Sequence, residues 1–264
     1  MRALIDYLRL ARMYVGLNLR AQLEYRGAFV AQMAAMAVND AVWVAFWSLF
    51  FSRFPVLHGW KVDDVITLWA VAAAGFGLAH AVCGNALVLA TVIAEGQLDD
   101  WMLYPRALLP HLLLGRMSAS ACGDVIFGVA VYLAFVRPDA AHIALFAVLA
   151  AGVAVLIVGF DVLSASLGFY LGNSATLTDQ WRFSMLTFAT YPATLFRGAV
   201  KLVLFTAIPA AFINLFPVRA LRSLSLADAA LALVGALAVA AAGAAAFHIG
   251  LRRYQSGNLL TMRG

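Results

Sequence analysis

Residues 65–106 read VITLWAVAAAGFGLAHAVCGNALVLATVIAEGQLDDWMLYPR. Positions 65–94 hold no Asp, Glu, Lys or Arg. A helix needs about 20 mainly apolar residues to cross a bilayer, so this stretch predicts a spanning helix. It stops at Glu95-Gly96-Gln97-Leu98-Asp99-Asp100, where three acids and a glycine follow in six positions. The whole chain has the same character. Of its 264 residues 64% are hydrophobic and 12% charged, and mean hydropathy is +0.91. A soluble domain carries about 25% charge and roughly 45–50% apolar residues. This chain lacks the polar surface to cover a water-facing globule, and its composition predicts an all-α integral membrane protein.

Working outward, further apolar runs predict spans at about Ala28–Phe51, Leu112–Val136, Ile143–Leu171 and Leu226–Gly250. Phe183–Phe216 is too long for one span and is interrupted at Pro192, Pro209 and Pro217. It predicts a short fifth span followed by a re-entrant helical pair (190–222), because broken helices at membrane depth survive only when buried by protein or facing water. Six spans result. Before them, Arg2, Asp6, Arg9, Arg12, Arg20 and Glu24 share an arc of about 120° at helical spacing. That predicts an N-terminal interfacial helix (1–27) with its charges in water. Five arginines spread over this stretch, with no small-residue cleavage site, argue against a signal peptide. No linker and no repeat of 20–50 residues divides the chain, which reads as a single domain, 1–264, closed by a tail at 251–264.

Orientation follows from Lys and Arg in the loops. With the N-terminus inside, eleven lie on the cytoplasmic side (Arg2, Arg9, Arg12, Arg20, Arg26, Arg106, Arg116, Arg182, Arg252, Arg253, Arg263). Seven lie outside (Arg53, Lys61, Arg137, Arg197, Lys201, Arg219, Arg222). Both termini are therefore expected in the cytoplasm. The abundance of Arg and Ala suggests a GC-rich bacterial genome. Loop charge also accounts for the pI near 9.5 without nucleic acid, which would need clustered basic sequence.

Several chemistries are excluded. A nucleotide loop needs GxxxxGK[ST], yet the only lysines are Lys61 and Lys201 and neither follows a glycine. No cofactor is expected in this chain. Cys83 and Cys122 sit in apolar stretches, and the histidines His58, His80, His111, His142 and His248 lie at least 22 positions apart. Neither a disulfide framework nor a metal motif fits. What remains are costly ionisable groups inside spans, which default to functional candidates: Asp40, His80, Asp124 and Asp161. Three acids against one histidine would favour a cationic substrate if they faced a common path. The alternative is that each pairs with a neighbouring helix through Asn39, Asn85, Ser164 or a partner subunit. Arg197 and Lys201 are four apart, predicting a shared helical face that either meets anionic headgroups or snorkels to the interface. Ala236, Ala240 and Ala244, with Gly243, form a row suited to close helix packing.

The segment after the second span is the strongest local signal. Leu98, Trp101, Met102 and Leu108 with Glu95, Asp99 and Asp100 make a short amphipathic stretch ended by Pro105. It suits either a groove on a soluble partner or an interfacial loop anchored by Trp101 and Tyr104.

The order of these features resembles the ABC-2 type transporter permeases, in particular a branch of about this length working in systems of two permeases and an ATPase. Glu95-Gly96-Gln97-Leu98-Asp99 with Pro105, Tyr191-Pro192, Ile208-Pro209-Ala210-Ala211-Phe212, Phe216-Pro217 and Arg253-Tyr254-Gln255-Ser256-Gly257-Asn258 carry the resemblance over essentially the whole chain. Gln255 departs from it where an acidic residue is expected. The resemblance implies that 95–110, with Glu95, Gly96, Gln97, Leu98, Asp99, Trp101, Pro105 and Arg106, is a coupling helix docking on the ATPase. It implies that Tyr191, Pro192 and Pro209 frame the external re-entrant helices. Expected partners are ATP-binding cassette ATPase subunits holding ATP and Mg, a second permease, identical or related, and membrane lipids. The implied activity is export across the bacterial inner membrane, with multidrug efflux as one form. Two other classes are weighed beside it: a proton-coupled secondary transporter using Asp40, Asp124 and Asp161, and an intramembrane enzyme built on Ser118, Ser120, Ser164 or Ser166.

Overall fold

The computed structural model describes residues 2–254, with side chains from Arg9 onward except at 201, 204 and 205. The motif positions Gln255–Asn258 lie outside the described residues. A first helix, α1 (Arg2–Glu24), ends at a kink on Tyr25 (φ −109°, ψ 60°), and α2 (Arg26–Arg53) starts directly after it. Among the described residues, five helical stretches are long and apolar enough to cross a membrane: α2, α3 (Val62–Val82), Ala119–Val136, Ala140–Leu171 and α13 (Leu226–Leu251). α3 is central, with 78% of its apolar window buried against 22% for α2 and 28% for α13. The outer faces of α2 and α13 are thus left for lipid or another subunit.

The second expected span is not one helix. α3 stops at Val82, a 3₁₀ turn covers Gly84–Val88, and α4 (Leu89–Ala94) resumes. The third is also split. α5 (Leu98–Met102) and α6 (Leu108–Leu114) precede an irregular stretch, and α7 (Ala119–Val131) begins only after it. The two interruptions lie against each other and satisfy one another. Gly84 N–H donates to Arg116 O (2.9 Å), Ser118 N–H to His80 O (3.0 Å) and Asn85 Nδ2 to Leu112 O (2.7 Å). Backbone groups released from a helix at membrane depth need such partners, so each break stands because the other does.

Helix α8 (Ala140–Ala165), extended by α9 (Gly168–Leu171), packs along α13. Gly159 is the reason they come so close: a Cβ there would lie 2.5 Å from Ala240 Cα. α10 (Ala175–Ala189) is where the short fifth span was expected, but it begins before Phe183 and has only 15 residues. Helix length alone therefore gives five spans rather than six. α11 (Gly198–Phe205) and α12 (Leu215–Ser223) follow, separated by a 3₁₀ turn at Ala210–Phe212. Pro217 does not interrupt this segment as expected. It sits in the first turn of α12, where its missing N–H costs nothing. At this end Arg222 donates to Asp64 Oδ1 (2.8 Å), and Arg219 meets Asp228 (3.2 Å). α12 is thereby pinned to the starts of α3 and α13.

Asn85→Leu should destabilise the chain by about 1 kcal/mol, the net worth of one hydrogen bond, because Leu112 O keeps the Gly115 N–H (3.1 Å). Thermal unfolding in detergent measures it, and an unchanged midpoint would remove the paired breaks from the account.

Candidate functional site

The four intramembrane candidates fall into two separate clusters, not one path. The first is built at the break in α3. His80 occupies the last turn of that helix and Asp161 lies on α8, both 0% exposed. Their side chains meet at 2.9 Å through Nε2 and Oδ2. His80 Nδ1 is 3.1 Å from Phe76 O, an acceptor only, so Nδ1 carries a hydrogen. Asp161 Oδ1 accepts from Arg182 Nε of α10 at 2.7 Å. Arg182 also donates to Asp179 Oδ1 (2.8 Å) and to Leu87 O (3.2 Å), a carbonyl of the 3₁₀ turn. Two acids thus face a guanidinium and an imidazole, so the buried charge is compensated and hydrogen-bonded as burial requires.

Loop composition places Arg182 in a polar connection and hides this role. Its partner is 21 positions away, and no local spacing signals it. The cluster also splits the three acids that a proton relay would link, because Asp161 is committed to Arg182.

Asp40 on α2 and Asp124 on α7 form the second cluster, 6% and 2% exposed. They meet because Gly123 lets α7 lie directly on the α2 backbone at Met33. The two carboxyl groups open on one hollow beside α3 and α10. Asn39 gives Asp40 Oδ1 only a long contact of 3.5 Å, and Oδ2 of both acids is without a hydrogen-bond partner among the described residues. The hydroxyls weighed as nucleophiles are otherwise engaged: Ser118 and Ser120 contact each other (3.1 Å), while Ser164 and Ser166 donate to backbone carbonyls.

The segment 95–106 forms a platform at the far end of the molecule from the Arg222–Asp64 pair. Gly96 takes φ +73°, a turn conformation that a side chain would strain. Leu98 is fully buried, whereas Met102, Leu103 and Tyr104 project outward at 43%, 83% and 56% exposure. Trp101 and Tyr104 both set their edges against His111 of α6, at 5.1 and 5.0 Å. Tyr14 of α1 bonds the same ring at 2.6 Å. Burial, followed by the nearby Arg106 cation, holds His111 below its ordinary value. Its neutral form therefore favours the packed state, and this preference is lost as pH falls below about 6.5. Glu95 and Gln97 bond each other (2.7 Å), while Pro105 and Arg106 stay exposed.

Tyr254 supplies a connection that the sequence left without a role. Its hydroxyl donates to Gly96 O at 2.7 Å, and burial, with Asp99 beside it, pushes it up to about 12. Phe169 packs on the same ring (6.3 Å), and Arg253 stacks over Tyr170 at 4.9 Å. The end of α13 is thereby tied to the turn before α5.

In the re-entrant segment, Tyr191 sets an edge against Trp47 of α2 (5.8 Å), while Pro192 and Pro209 are buried. Asn214, 1% exposed, donates to Phe188 O and Tyr191 O and so seals the end of α10. Arg197 and Lys201 do not share a helical face. Arg197 is extended (φ −132°, ψ 162°) just before α11, and the side chain of Lys201 lies outside the described residues.

Arg182→Met should cost about 3 kcal/mol by taking the guanidinium from buried Asp161 and leaving it His80 alone. Adding Asp161→Asn should recover part of it, and the thermal midpoints of both variants in detergent test this order. Tyr254→Phe should loosen the platform by about 1 kcal/mol, seen as faster protease cleavage between 96 and 106 with the rest of the chain unaffected.

A family model described as ABC-2 family transporter protein matches residues 37–258. No curated protein and no solved structure matches the chain. The matched region runs from inside α2, through both clusters and the platform, to beyond Tyr254. Membership implies a membrane component of a transporter associated with ATP-binding cassette ATPases. The chain belongs to the ABC-2 transporter family.

Proposed function

We propose that this chain is the permease of an ATP-binding cassette exporter, moving an amphipathic or hydrophobic substrate such as a drug-like compound or lipid. The observation that carries the reading is the platform at 95–106. It joins an exposed apolar edge, Met102-Leu103-Tyr104, to a buried footing at Leu98 and His111. An exposed apolar edge on a rigid base suits a groove on a soluble partner. That partner is the ATPase, which brings the ATP and Mg that this chain has no loop to hold. Glu95, Asp99, Asp100 and Arg106 supply polar contacts around the edge.

In this reading α10 makes a sixth, short crossing, and both termini lie on the cytoplasmic side of a bacterial inner membrane. Two copies, or this chain and a related permease, enclose the path. Closure of the ATPase dimer pushes the platform, and the push reaches α4 directly and α13 through Tyr254. Opening then follows as a rigid-body shift of packed helices.

A mild-detergent pull-down of the tagged chain should recover a Walker-A protein and ATPase activity. The Asp99→Ala/Trp101→Ala variant should lose both while keeping its size-exclusion profile. A chain that purifies alone and transports without ATP in vesicles would overturn the proposal.

A further inference from the structure

A cavity of about 470 Å³ opens between α2, α3, α7 and α10, within the ~300–1,000 Å³ range of small-molecule sites. Asp40 and Asp124 form its polar end, while Trp43, Trp69, Phe76 and Tyr191 are among its apolar walls. Trp43 and Trp69 stack at 5.5 Å with their planes 16° apart. No Lys, Arg or His stands among the described residues lining it. Asp161 has Arg182; this pair has no cation.

The chemistry of the pair defines what is missing. Two bare carboxylates in one apolar cavity repel, and sharing one proton relieves the repulsion. The pair then holds a single negative charge inside an apolar wall. A buried charge of this kind is costly without a counterion. Three polar atoms await a partner: Oδ2 of each acid, and the indole nitrogen of Trp69, a residue only 7% exposed. Aromatic faces favour a cation electrostatically, and the orphan indole N–H suits an acceptor atom on the same ligand. The size of the cavity calls for an organic cation rather than a metal ion.

We infer that this cavity is a binding site for a lipophilic organic monocation, held by Asp40 and Asp124 and stacked on Trp43 and Trp69. The inference gives the proposed exporter a substrate class, and to that extent it rests on the preceding reading. Binding itself requires no ATPase.

The test uses purified full-length chain in nanodiscs with two probes of one shape and opposite charge, tetraphenylphosphonium and tetraphenylborate. Saturable binding of radiolabelled phosphonium, undisplaced by the borate, is expected. Asp40→Asn/Asp124→Asn should weaken it at least tenfold, with each single variant less affected because one carboxyl survives. The size-exclusion profile controls for folding. Should the double variant fail to fold, Trp43→Leu, which removes half of the stack, should still cost several-fold. Equal binding of both probes, binding of neither, or phosphonium binding undiminished in these variants overturns the inference. Failure of the permease reading would be seen separately, as a chain that binds phosphonium yet recovers no ATPase.

Discussion

The paired interruption of the second and third apolar stretches is the constraint on which the rest of the structure depends. A helix broken at membrane depth must find partners for the groups it releases. Here Gly84, Asn85, Ser118 and the carbonyls of His80, Leu112 and Arg116 supply them to each other. Arg182 then reaches Leu87 O from a third direction while holding Asp161. Without the break, α3 would continue straight, His80 would no longer end a helix, and α6 would lose the Asn85 bond at Leu112 O.

The interior charges divide by whether they are neutralised within the chain. Asp161 sits among an imidazole, a guanidinium and a backbone carbonyl, and belongs to the framework. Asp40 and Asp124 open on one cavity with no Lys, Arg or His among the described residues lining it. The distinction lies in the partners rather than the depth, since all three acids are buried. It is also why the acids do not form one path: the compensated one is on α8, behind the wall that the other two line.

Much of the architecture was legible as local pattern. Long apolar runs marked α2, α8 and α13, the glycine at 96 marked a turn, and the charged arc marked α1 as a separate helix. The breaks were not, because Cys83-Gly84 and Gly115-Arg116 are ordinary within an apolar run and acquire meaning only when juxtaposed. Arg182 looks like loop charge in the sequence because its partner is 21 positions away on another helix. His80 and Asp161, 81 apart, were each visible, but their meeting was not. Pro217 misled for a different reason: proline disrupts a helix interior but is accommodated in a first turn. The family was readable because its motifs lie at turns and ends, where local sequence determines local geometry.

The tie between Tyr254 and Gly96 has a mechanical consequence. It closes the polypeptide into a loop running from the platform through most of the fold and back. The platform is therefore held by α13 as well as by α4 and by its seat on His111 of α6. A beam fixed at a single end swings; one fixed at both ends moves only when its supports move together. In the proposed permease, displacement of 98–104 would reach two helices in phase, and α13, meshed with α8 at Gly159, would carry α8 with it. The stroke of such a device is short and stiff, governed by packing density instead of loop slack.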